Sequence, residues 1–324
     1  MNKLFRSLLP VVLLATALQT PAFAQAPDAW PKQRVSFVVG FAAGGFADTV
    51  GRIIANKLAE RLNQPVIVQN MEGAGGNTAA RHVNMAPADG YTFLVTTTGL
   101  AINETLYKNK QFSASAFVPV AIPVSAPETI ITSRQSGFKS MADVIAAAKE
   151  NRVFLGTPGN GSGSHIAAEY FFKKIAKVEV KHIPFQGGSP GLQALRTNDI
   201  NILASTATAP ILPPITNGEM IALGVAANER NPAMPDVPTY AELGYSGAIA
   251  NSWTGVFARA ETPPAVLKRM NAELNEVMKD PDVRKKIEGF GLLIQMRDVS
   301  QNAAFFKEEI ARWAKMVEAT GLSL

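Results

Sequence analysis

The chain contains no cysteine. That removes disulfides, thiolate metal sites and cysteine nucleophiles together. Histidine is scarce, with only His82, His165 and His182. No two of them have the i, i+4 spacing of a helical metal pair. Beyond the N-terminal segment no apolar run reaches the roughly 18 residues that a membrane-spanning helix needs. A net charge of +5 over 324 residues is mild. Pairs such as Lys108/Lys110, Lys173/Lys174 and Lys285/Lys286 are scattered and read as solvated helix faces. No basic patch points to nucleic acid or to a membrane surface. Internal repeats and low-complexity tracts are also missing.

What is present begins with a leader. Lys3 and Arg6 precede an apolar stretch from Leu8 to Leu18, and Ala22-Phe23-Ala24 forms a small-x-small cleavage site before Gln25. This pattern predicts a secretory signal peptide, residues 1–24, cleaved after Ala24. The remaining chain, about 300 residues, is large for a single core, so two lobes are expected. An exported protein without disulfides fits the periplasm of a Gram-negative cell.

Three times a short apolar strand runs through a Gly/Ser-rich turn into a helix. The turns are Gly40-Phe-Ala-Ala-Gly-Gly-Phe-Ala-Asp48, Gly156-Thr-Pro-Gly-Asn-Gly-Ser-Gly-Ser164 and Gln186-Gly-Gly-Ser-Pro-Gly191, and none contains Lys or Arg. Each leaves backbone N–H groups open at a helix start, where an anion is favoured. Such turns also occur merely as tight connections. Three of them at the ends of parallel strands face one crevice, however.

Around them the pattern is α/β. Strands are expected at 34–40, 65–70 and 92–96, with helices at 49–62 and from about 77 to 85. Asp48 is expected to cap the first helix. Ser140 and Asp143 spell a capping box that opens a further helix. Strands follow at 153–157, 178–185, 200–204 and 221–225, with helices from His165 and through Arg196 and a short one after Pro210. The tail reads as one strand at 252–257 and amphipathic helices at 263–279, 282–289 and 300–320. It is expected to pack back on the first lobe, with chain crossings near 125–135 and 245–252.

Catalysis finds no support. Ser162 and Ser164 lack the flanking glycines of a nucleophile elbow. The second turn lacks the P-loop lysine, and Gly73-Ala-Gly-Gly-Asn-Thr78 lacks the third glycine of a dinucleotide fingerprint. The reading is therefore a non-enzyme with no catalytic residue, no metal and no cofactor. His182, in an apolar strand, reads as structural. His165, beside the second turn, either donates to a ligand or orients the loop. A carboxylate that meets two or three N–H groups gains charge-assisted bonds, and micromolar capture needs about 8 kcal/mol in all. Two other classes stay open: an exported hydrolase or isomerase on the same scaffold, and a sensor subunit that presents ligand to a membrane kinase.

Several segments together resemble one family. They are Phe41-Ala-Ala-Gly-Gly with Asp48, Gly73-Ala-Gly-Gly, Pro87-x-Asp-Gly-Tyr-Thr92, Gly156-x-x-Gly-x-Gly-Ser-x-x-His165, His182-x-Pro-Phe-x-Gly187, Pro235-Asp-Val-Pro-Thr239 and the Trp253 segment. In order, over essentially the whole mature chain, this is similar to the periplasmic substrate-binding proteins of the tripartite tricarboxylate transporter class, the Bug family. The resemblance implies a two-lobed periplasmic-binding-protein (Venus-flytrap) fold, each lobe a mostly parallel sheet flanked by helices. The lobes would be 25–128 plus 250–324, and 129–249. It implies capture of a small mono- or dicarboxylate, aromatic acids included, by a monomer that delivers it to the membrane permease subunits of a tripartite tricarboxylate-type transporter. The matching ligand contacts would be Phe41, Ala42, Gly44, Gly45, Phe46 and Asp48 in the first turn, and Thr97 and Thr98 at a strand end. Gly159, Asn160, Gly161, Ser162, Ser164 and His165 would serve in the second turn, Phe185, Gln186, Gly187 and Gly188 in the third, and Ser205 and Thr206 in a further loop. The chain departs from the family pattern at Gly40 and Ala43, where proline is common, at Phe46-Ala47, and at Met71-Glu72. Two roles stay open for Phe46: a hydrophobic lid over an aromatic or long aliphatic acid, or packing between helices.

Overall fold

Parallel strands need helical crossovers, and the chain supplies them in alternation. The computed structural model describes residues 30–208 and 210–324. The leader at 1–24 and its cleavage site lie outside the described residues. The first half runs β1 (Val35–Val39), α1 (Phe46–Leu62), β2 (Val66–Asn70), α2 (Asn77–Met85), β3 (Thr92–Thr97) and α3 (Gly99–Leu106). A long β4 (Phe117–Ser133) follows. The second half runs α4 (Met141–Lys149), β5 (Phe154–Thr157), α5 (Gly163–Tyr170), β6 (Lys181–Pro184), α6 (Gly188–Arg196), β7 (Ile202–Thr206), α7 (Leu212–Thr216) and β8 (Met220–Val225). The tail is β9 (Asn251–Arg259), α8 (Pro264–Lys279), α9 (Pro281–Gly289), β10 (Leu293–Ile294) and α10 (Val299–Thr320).

The strands lie in the order β2-β1-β3-β9-β4-β7-β5-β6, with β8 and β10 also paired to β4. The outer ladders are parallel: β1 with β2 and β3, and β5 with β6 and β7. The ladders around β4 and β9 are antiparallel. β4 is common to both halves. Its residues from Phe117 to Pro127 pair with β9, and from Glu128 to Thr132 they pair with β7. The two-lobed fold thus hangs on one strand that changes partner at Pro127/Glu128. Residues Pro31–Leu324 nonetheless form one compact unit.

The tail anchors this arrangement. Arg61 and Lys57 on α1 reach Glu273 within α8 and Asp280 at its C-terminal end, at 2.7 and 2.9 Å. α10 packs on α3, β4 and α5. The fully buried Trp253 and Trp313 both donate their indole N–H to Glu309 Oε2, at 3.0 and 3.1 Å. Satisfying both polar tips lets two large apolar bodies be buried without an orphan donor.

Three local expectations are corrected. Asp48 is not the cap of α1. The cap is Gly45, and Asp48 is the third residue inside the helix. The strand expected at 178–185 is shorter, Lys181–Pro184. The helix after the second turn ends in a π-helical stretch, Phe171–Ala176. Three elements had no counterpart in the sequence reading: α3, β4 and the two-residue β10. α3 is buried at Gly99–Asn103 and Leu106, so it shows no amphipathic stripe. β4 carries Pro119, Pro123 and Pro127, and its register to β9 shifts between Pro119 and Ala121 and again before Val124. Proline is tolerated in strands at such irregularities.

Candidate functional site

The first turn is rigidified by charge. Asp48 is 2% exposed. Its carboxylate accepts from the Gly44 N–H at 2.8 Å, Arg52 Nε at 2.9 Å and Asn70 Nδ2 at 2.8 Å. Asn70 Nδ2 also donates to the Phe41 carbonyl at 2.9 Å. Burial works against ionisation here, but the hydrogen bonds from Arg52, Gly44 and Asn70 outweigh it and hold the carboxyl below its usual range. Asp48 thus braces the loop from within. The Gly44 backbone sits at φ +77°, which glycine alone adopts at no steric cost. The N–H groups of Phe46, Ala47 and Asp48 find no acceptor among the described residues. Phe46 is half-buried at the first helical position.

The second turn is held without an ion pair. Ser162 caps α5, its Oγ accepting from the His165 N–H at 3.2 Å. The Gly161 N–H donates to His165 Nδ1 at 3.0 Å. That bond makes Nδ1 the acceptor and leaves the ring proton on Nε2. His165 stacks on His182 with centroids 3.9 Å apart and planes 13° apart, and His182 Nε2 lies 2.7 Å from Thr157 Oγ1. Burial, reinforced by His182 and by the Lys173 charge, pushes His165 down to about 3. Burial also lowers His182. Both rings are neutral near pH 7 and serve as a packed platform under the turn. The N–H groups of Gly163 and Ser164 find no acceptor among the described residues.

The third turn is tied to the second: the Gly187 N–H donates to the Pro158 carbonyl at 2.9 Å. The Phe185 ring belongs to the second-half core, packed against Gly156 and Gly191. Ser205 sits under the start of α6, its Oγ 3.5 Å from where a Cβ on Gly188 would lie.

These segments form one continuous band. Atoms of the Phe41 ring lie against Gly76 and Gly99. The Gly99 N–H donates to Thr97 Oγ1 at 3.3 Å. A Cβ on Gly163 would stand 3.1 Å from Thr98 Oγ1, 3.1 Å from Glu128 Oε1 and 3.0 Å from Ser252 Oγ. The start of α5 therefore abuts the start of α3 from the other half of the molecule. Asn160 and Gln186 are exposed beside this band, and Ala42 is exposed at its first turn.

Sequence reading missed Glu128. It is 3% exposed and sits where β4 changes partner. Ser164 donates to Oε2 at 2.7 Å, while Thr206 at 3.2 Å and Ser252 donate to Oε1. Burial pushes this carboxyl up, and the three hydroxyls pull it partly back. The Ser164 and Thr206 hydroxyls expected to meet ligand are thus directed at an internal carboxylate. A glutamate between Pro127 and Thr129 carries no local signal for this. Only the pairing of β4 with β7 and β9 assembles the cluster. A small cavity of about 10 Å³ lies beside it, lined by Ser164, Tyr170, Tyr240 and Met316 among others. A cleft of about 440 Å³ that shares Tyr170 and Met316 with it, also lined by Asn228, Asn251, Phe305, Arg312 and Lys315, holds none of the expected site residues. Among the described residues no cluster of three or more His, Asp or Glu is placed to hold a metal ion. Nor is any helix there long and apolar enough to cross a membrane.

Comparison with known proteins agrees with this architecture. The family described as "Tripartite tricarboxylate transporter family receptor" matches residues 50–322. A protein from the tcbD-tcbE intergenic region of Pseudomonas sp. (strain P51) is 33% identical over 316 residues, covering 96% of this chain and 93% of the relative. The structure of R. palustris Rpa4515 with adipate superposes at a TM-score of 0.84 with 29% identity, covering 91% of this chain and 99% of that one. MatC (Rpa3494) from Rhodopseudomonas palustris with bound malate superposes at 0.81 with 31% identity, covering 89% and 100%. With its two halves joined through β4 and β9 and a family match across nearly all the described residues, the chain belongs to the tripartite tricarboxylate transporter receptor family.

Proposed function

We propose that this protein is a periplasmic solute-binding protein that captures a small mono- or dicarboxylate between two lobes. The lobes are 25–128 plus 250–324, and 129–249. The observation that carries the reading is the band of open helix starts: the N–H groups of Phe46, Ala47 and Asp48 in one half, and of Gly163 and Ser164 in the other, linked through Thr97 and Thr98. Charge-assisted bonds from such amides are about twice as strong as neutral ones. Each helix dipole adds about 0.3–1 kcal/mol. The hydroxyl protons of Thr97 and Ser162 supplement them, since both oxygens already accept from backbone and are thereby oriented. Two relatives of similar fold hold adipate and malate, both dicarboxylates. The captured acid passes to the permease subunits of a tripartite tricarboxylate-type transporter, and the receptor acts as a monomer without nucleic acid, metal or cofactor.

Titration calorimetry over adipate, malate, an aromatic monocarboxylate and a neutral sugar tests this reading. The expected result is micromolar or tighter binding of at least one acid and none of the sugar; sugar binding without acid binding overturns it. Mass spectrometry of the released acid separates receptor from enzyme, because a receptor returns its ligand unchanged.

A further inference from the structure

Glu128 is a carboxyl group buried without a cation. Its partners come from three segments: Ser164 at the start of α5, Thr206 at the end of β7 and Ser252 at the start of β9. Its backbone adds two more ties. The Glu128 N–H donates to Ala250 at 3.0 Å, and its carbonyl accepts from the Ala226 N–H at 2.8 Å. Both places where the chain passes between the halves are therefore joined at this residue. Burying a carboxyl with no counter-charge is costly, and an apolar side chain of similar volume would cost less. What a fully satisfied polar cluster provides instead is one defined arrangement. Here that arrangement includes the second turn, because Ser164 follows Gly163, which packs so closely on Ser252, Glu128 and Thr98 that a Cβ there would crowd all three.

Resting on the carboxylate-receptor reading, we propose that Glu128 is the positioning residue of the second turn. By gathering the Ser164, Thr206 and Ser252 hydroxyls it fixes the first turn of α5 against the crossing strands. The Gly163 and Ser164 amides are then presented beside Thr98. Glu128 does not itself touch the captured acid.

The test compares wild type with Glu128→Leu, Glu128→Gln and Ser252→Ala. In ligand-free protein, hydrogen exchange is followed in peptides spanning 159–170 and 46–62. Glu128→Leu is expected to speed exchange at 159–170 at least tenfold and leave 46–62 unchanged. Glu128→Gln and Ser252→Ala are expected to give roughly threefold increases, because each keeps part of the cluster. Equal acceleration of both peptides, or none at 159–170, overturns the proposal. Calorimetry with adipate and malate then reads the consequence: Glu128→Leu weakens capture at least tenfold and Glu128→Gln less. An unchanged Kd beside a loosened turn refutes the positioning role. Wild-type protein that binds no carboxylate refutes the proposed function alone, and the exchange measurement still decides whether Glu128 holds the turn. Should Glu128→Leu fail to fold, the two milder variants give the same contrast.

Discussion

The first and second turns do the same local job by opposite means. Each ends a parallel strand and opens a helix with free N–H groups. The first is braced by an ion pair, Asp48 with Arg52, and by Asn70, all within α1 and β2. The second is braced by neutral groups, Ser162, His165 and His182, and by contacts that reach β4, β9 and α3. The first turn is thus self-contained, while the second depends on how the two halves meet.

This contrast can be broken by experiment. Gly163→Val has the largest expected effect. A Cβ there would stand only 3.0–3.1 Å from Ser252, Glu128 and Thr98, inside ordinary van der Waals contact, and overpacking of this kind costs about 3 kcal/mol. Urea unfolding is expected to show that loss, and a cost near zero would mean the halves do not meet at α5 as described.

Acid titration comes next. His165 is neutral when folded, with its pKa depressed to about 3, so the unfolded chain binds more protons below pH 6.5 and stability falls as pH falls. Between pH 6.5 and 5 the loss is at most about 2 kcal/mol. Asp48 is depressed too, but its contribution is intact above the ordinary carboxyl range and goes only below about pH 3.8. Exchange at the Gly161 and His165 amides should therefore rise near pH 5 while the Gly44 and Gly45 amides stay protected. Simultaneous loosening would erase the distinction.

Gly44→Ala probes the first turn where there is open space around the residue but φ is positive. It should cost about 1 kcal/mol, from backbone strain alone. A cost as large as that of Gly163→Val would show that the first turn is not self-contained. Arg52→Gln should cost least, about 0.5 kcal/mol, because the Arg52 side chain is 47% exposed and solvent screens such pairs. Melting in high salt should reproduce that small loss.

How much of this was legible depended on whether a residue's role is set by its neighbours in sequence. The helix starts were legible, because glycine and serine after a β-branched strand impose the turn locally. Ser140 with Asp143 formed the expected capping box. Asp48 misled: an aspartate before a helical run resembles a cap. Its carboxylate instead reaches back to Gly44 and across to Asn70. β4 was hidden by its prolines, and α3 by being buried on nearly every face.

By itself, the sequence determined the family, the alternation of strand and helix, and the three charge-free turns, because each is written in residues close together along the chain. Only the tertiary structure decided that Ser164 and Thr206 turn inward to Glu128, that two histidines stack neutral beneath the second turn, and that α5 abuts Thr98 from the other half. Those outcomes depend on strands far apart in sequence becoming neighbours. Glu128 and Ser252 are 124 positions apart, and no local pattern encodes a hydrogen bond across that distance.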